Sequence, residues 1–92
     1  MNAINMPVDP ITDDRLSAKA RGIYAWMLWA LKTGKTVNLK AATDAGLGGA
    51  NAVRSGFAEL EEKGYLTRSR VRDERGILGE AVYELYSNPK NT

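Results

Sequence analysis

Arg68, Arg70 and Arg72 recur at two-residue spacing, which in an extended strand puts three guanidinium groups on one face. Like charges so placed repel by roughly a few tenths of a kcal/mol per neighbour or more. They call for compensation, either from an outside anion or from Glu80 and Glu84 on a partner strand. Arg75, beside Gly76, carries the basic run to the expected turn. Asn51 and Arg54 offer a different chemistry, because a side-chain amide and a guanidinium each make paired hydrogen bonds to planar partners. If Val53, Phe57 and Leu60 form the inner face of a helix, its spacing turns Asn51, Arg54, Ser55 and Ala58 outward.

Other chemistries are excluded by residue type. The chain has no Cys and no His, which removes disulfides, thiolate nucleophiles and the usual zinc sites. Asp, Glu, Lys and Tyr remain for proton transfer. No glycine-rich phosphate loop ends in Lys-Ser/Thr, however, and there is no G-x-S-x-G. The expectation is a binding module rather than an enzyme, with no cofactor, no metal and no evident small-molecule ligand. A net charge of +2 is mild, but its distribution is uneven. Arg15, Lys19, Arg21, Lys32, Lys35 and Lys40 follow one another with no acid between them. Such clustering favours one basic face, although solvated surfaces carry similar blocks.

These groups must be held by one domain, since 92 residues sustain a single core. With 43% apolar and 26% charged residues the composition is that of a soluble globular protein. The longest apolar stretch, Ile23 to Leu31, is far short of the roughly 20 residues that span a bilayer. No membrane partner is expected, and the absence of a secretory leader pattern predicts a cytoplasmic protein.

Residues 1–14, with Pro7 and Pro10, read as a flexible irregular arm. Ser17 is a helix N-cap, and Leu16, Ala20, Ile23, Met27, Ala30 and Leu31 give helical periodicity up to Thr33-Gly34. Asn38 caps a second, short helix through Leu39, Ala42 and Ala45, which Gly46 ends. Leu47-Gly48-Gly49 forms a turn, and a third helix runs to about Lys63, stopped by Gly64. Strands are predicted over Tyr65–Arg72 and Glu80–Tyr86, the second with Ala81, Tyr83 and Leu85 on one side, around a turn at residues 73–76. Residues 87–92 read as a tail or linker. The fold class is mainly α with a β-hairpin (α+β): three helices followed by two strands, within residues 15–86.

That order resembles the winged helix-turn-helix family, in particular small modules of plasmid, phage and actinobacterial proteins, some of them parts of replication initiators. Leu16 to Ile23, Gly56 to Leu66, and Arg68 to Tyr86 carry the resemblance. It implies sequence-specific binding of double-stranded DNA, by a transcriptional regulator or a replication or maintenance factor. The third helix would enter the major groove with Gly49 and Ser55 at the contact. There Asn51 suits adenine and Arg54 suits guanine. Asn38 and Lys40 would rest on phosphate, and Arg68, Arg70, Arg72 and Arg75 would line the wing. Measured from Gly46, Val53 and Phe57 arrive about one residue late, so the turn is expected to be longer by a residue.

Trp26 and Trp29 fit none of these roles. Trp26 falls on the flank of the buried face of the first predicted helix and Trp29 nearly opposite it. An exposed Trp implies a partner surface or a cover from residues 1–14. The expectation is a homodimer through that helix, with Trp29 central. The alternative is a protein-interaction module that uses this aromatic surface without specific DNA binding.

Overall fold

Two side-chain caps start the principal helices. Ser17 Oγ accepts from Ala20 N–H and Asn38 Oδ1 from Ala41 N–H, each satisfying a first-turn donor that has no partner within its helix. The computed structural model describes residues 6–72 and 74–89. Its elements are α1 (Val8–Thr12), α2 (Ala18–Lys32), α3 (Leu39–Asp44), α4 (Ala50–Glu62), β1 (Leu66–Arg72) and β2 (Leu78–Leu85). The result is a small α+β domain of four helices and a two-stranded antiparallel hairpin. Among the described residues no helix is long and apolar enough to cross a membrane.

The fourth helix corrects the expectation of three. Pro7 stands at the N-cap of α1 and Pro10 within its first turn. In the first turn a missing N–H breaks no intrahelical bond. Prolines that read as irregular chain therefore sit where a helix tolerates them. Pro10 is buried, and Asp13, just past α1, is tied into the domain. Its carboxylate accepts from Arg15 Nη2 at 2.6 Å and from the Tyr65 hydroxyl at 2.7 Å, while its carbonyl accepts from Arg21 Nη2 at 2.7 Å. Residues 1–5 lie outside the described set.

The core is built by α2 and α4. Ala20, Ile23, Tyr24, Met27 and Ala30 meet Val53, Phe57 and Leu60, with Ala42 of α3 and Leu66 and Tyr83 of the hairpin closing the sides. The Tyr24 and Tyr65 rings meet edge to face with centroids 6.2 Å apart, and Phe57 and Tyr83 do so at 5.5 Å. Pairs of this geometry are worth about 0.5–1.5 kcal/mol beyond their buried area. Two contacts set the approach of α2 to α4. A Cβ on Gly56 would lie 2.3 Å from Ile23 Cδ1, so the helices meet at a distance only glycine permits. At the other end of the interface, Glu59 accepts from Ser17 N–H at 2.5 Å and from Ser17 Oγ–H at 2.8 Å. The backbone hydrogen bond from Ser17 is the chief cause that lowers the Glu59 pKa.

Gly64 turns α4 into β1 with φ of 85°, a conformation that costs a residue with a Cβ about 1–2 kcal/mol. The ladder then pairs Leu66 with Leu85, Thr67 with Glu84, Arg68 with Tyr83, Ser69 with Val82, Arg70 with Ala81 and Arg72 with Leu78. Between the last two pairs β2 spans one residue more than β1, a bulge.

The Asp13 cluster makes stability depend on pH. Arg15, and next Tyr65, hold the Asp13 carboxyl well below the usual carboxylate range by hydrogen bonding. A depressed folded-state pKa adds stability that is complete above the unfolded value of about 3.9 and is lost as pH falls below it. Tyr65, pushed up to about 12 chiefly by desolvation and then by its bond to Asp13, contributes below about pH 10 and loses that contribution as pH rises towards 12. Thermal melts of Asp13→Asn and wild type should therefore differ most near neutral pH and converge between about pH 4 and 2. A gap in melting temperature that stays constant down to pH 2 would exclude this role for Asp13.

Candidate nucleic-acid interface

The helical spacing of α4 buries Val53, Gly56, Phe57 and Leu60 and leaves Asn51, Arg54, Ser55 and Ala58 exposed, as the apolar pattern predicts. Gly49 is its N-cap and makes no side-chain capping bond. The connection from α3 covers residues 45–49, longer than the three or four residues usual between two such helices. Exposed polar groups on α4 are not independent. Arg54 Nη1 donates to Asn51 Oδ1 at 3.0 Å, and Lys19 Nζ, from α2, donates to Ser55 Oγ at 3.3 Å. No acidic residue occurs between Asp44 and Glu59. Beyond that point Glu59 turns to Ser17, while Glu62 lies 3.2 Å from Lys63 Nζ.

In α3, Asn38 spends its side-chain oxygen on capping, and Lys40 Nζ lies 2.7 Å from Asp44 Oδ2 on an exposed surface. The hydrogen bond to Asp44 raises the Lys40 pKa. Exposed pairs of this kind are weak, so the ammonium can exchange Asp44 for another anion.

Arg68, Arg70 and Arg72 occupy alternate positions of β1 and are exposed. Residues directly opposed in an antiparallel ladder share a face. Arg68 therefore shares the face of Tyr83, which packs on Phe57 of α4. This register corrects one expected compensation. Glu84 stands opposite Thr67, on the other face, and accepts from the Tyr86 hydroxyl at 3.2 Å. The acid near Arg68 is Glu61 of α4, with Nε and Oε1 4.0 Å apart. The Glu80 side chain lies outside what the structure describes. Arg72 Nη1 donates to the Gly76 carbonyl at 2.7 Å and closes the hairpin tip, where Arg75 is exposed.

On α2, Trp29 is 44% exposed, and Trp26 is half-buried against the core. The described part of the N-terminal segment does not cover Trp29. Instead, Pro7 lines a groove of about 400 Å³ with Tyr24, Leu28, Leu31, Lys32, Leu85 and Ser87.

Three residues that shape this surface are not singled out by sequence reasoning: Lys19, Gly56 and Glu59. The contacts of each join α2 to α4, more than 30 residues apart in sequence. For Lys19 a signal existed in the acid-free run from Arg15 to Lys40. No protein-family model, curated protein or solved structure matches this chain.

Proposed function

We propose that this domain is a winged helix-turn-helix that binds double-stranded DNA sequence-specifically, as a transcriptional regulator or a replication or maintenance factor. In this reading α4 lies in the major groove and the β1–β2 hairpin is the wing. The observations that carry it are two exposed surfaces, one on α4 and one on the strand that packs against it. The exposed N-terminal half of α4 bears amide, hydroxyl and guanidinium groups with no acid. Arg68 stands on the strand face that packs against α4, near Glu61 of its last turn, with Arg70 and Arg72 at the alternate positions beyond. Short polar side chains on a helix and a basic strand beside it match what base edges and phosphates require. Binding of a random-sequence duplex should weaken with salt at a log–log slope of about −0.9 per phosphate contacted. A slope near zero would overturn the proposal and favour a protein-docking domain.

The exposed Trp29, with Trp26 one turn away on the same flank, supports a second element of the reading, a two-fold dimer through α2. Paired half-sites supply specificity that one small domain lacks. Sedimentation at micromolar concentration should give a dimer for the wild type and a monomer for Trp29→Ala. A monomeric wild type would end this part of the proposal.

A further inference from the structure

The geometry points to a base preference for α4: it reads keto bases, with guanine at the Arg54 position and guanine or thymine beside it. This rests on the DNA-binding reading above and deepens it. Asn in isolation suits adenine, because its amide offers one donor and one acceptor to the adenine N6 amino group and N7. Here the Asn51 oxygen already accepts from Arg54 Nη1 at 3.0 Å. A second lone pair remains on that oxygen, but the guanidinium beside it disfavours the approach of another donor, so the NH2 group, a donor, is what Asn51 chiefly offers outward. Ser55 is in a similar situation: its oxygen accepts from the Lys19 ammonium at 3.3 Å, and its hydroxyl proton remains available to donate. Arg54 and Lys19 are donors only.

The outer surface at the start of α4 is therefore rich in donors, and its two acceptor oxygens each already face a cation. No carboxylate adds an acceptor there, since Glu59, the first acid after Asp44, is engaged with Ser17. Guanine presents two acceptors in the major groove, N7 and O6, and thymine presents O4, whereas adenine and cytosine each present an amino donor. A donor surface pairs with the first two and leaves donor facing donor with the others. Positions 51 and 54 are one helical step of about 4.5 Å apart, so the two side chains address neighbouring base pairs.

The pairing also predicts an altered specificity. Arg54→Ala removes the donor that occupies the Asn51 oxygen, and the freed amide regains the donor and acceptor that adenine matches. The test is selection of bound duplexes from a random pool at low salt, with wild type, Arg54→Ala and Asn51→Ala. Equal melting temperatures would establish that all three fold alike. The wild-type pool should hold guanine at one position and guanine or thymine at its neighbour. The Arg54→Ala pool should lose guanine preference by about tenfold to a hundredfold and gain adenine at the neighbouring position. Asn51→Ala should abolish preference at the neighbour and keep guanine. Adenine or cytosine already dominant at the Asn51-dependent position in the wild-type pool would overturn the rule while leaving DNA binding intact. So would an unchanged neighbour in the Arg54→Ala pool. Failure of any duplex to be retained would overturn the DNA-binding reading, and this rule with it.

Discussion

Replacing Gly56 by valine is expected to lower the melting temperature by roughly 10–20 °C. Even the first added carbon meets Ile23 Cδ1 at 2.3 Å, and Ile23 is 1% exposed, so it has no open space to enter. The helices must separate or Ile23 must leave its rotamer, and overpacking of this kind costs about 1–3 kcal/mol or more. In a domain whose whole stability is on the order of 5–15 kcal/mol, that is a large share. A gain opposes it, since Gly inside a helix is about 1 kcal/mol worse than Ala. Gly56→Ala should therefore be milder than Gly56→Val yet still destabilising. A double-mutant cycle isolates the contact. Ile23→Val removes the Cδ1 methyl and should cost about 0.5–1.5 kcal/mol alone, but combined with Gly56→Ala the two costs should sum to less than their parts. Strict additivity would mean that Ile23 is not what the added Cβ meets.

The largest expected effect on binding comes from the hairpin. Arg68→Ala, Arg70→Ala and Arg75→Ala together should weaken binding to preferred and random duplexes alike, because phosphate contacts position a protein without reading sequence. If each arginine neutralises one phosphate, the slope of log affinity against log salt falls by about 0.9 per residue. Raising salt from 50 to 200 mM would then cost the triple variant roughly 40-fold less affinity than it costs the wild type. Arg72 is left in place because its guanidinium holds the Gly76 carbonyl, and its loss would disorder the tip as well as remove a charge. A triple variant with an unchanged salt slope would show that the hairpin lies off the DNA.

Much of this fold is legible in the chain because its punctuation is local. Ser17 and Asn38 accept from the first turns of their helices, while Gly34, Gly46 and Gly64 take positive φ where the helices end. Each of those decisions is made within four residues. What sequence reasoning missed depends on distance or on counting. Helix α1 is hidden because proline ordinarily signals a break, and only its place in the first turn makes it compatible. The partner of Glu59 is 42 residues away, beyond the reach of any periodicity. The face of Glu84 follows from the ladder register, which moves every side chain to the other face if it slips by one residue. The Asn51–Arg54 bond had a signal, since residues three apart on a helix are neighbours. Read singly, each residue suggests its own base; read as a pair, one restricts the other.

The hairpin grips the helices only at its base. Leu66, Tyr83 and, in part, Leu85 enter or flank the core, whereas from Arg68 to Val82 every side chain with a described environment is exposed. Stability is thus decided at one end of the ladder, and the proposed contact with DNA would be made at the other. Exchanging charges or lengthening the turn at the overhanging tip would therefore leave the packing of the base untouched. The hairpin is in that sense an interchangeable attachment on a fixed mount, one whose outer end can be altered without unfolding the domain that carries it.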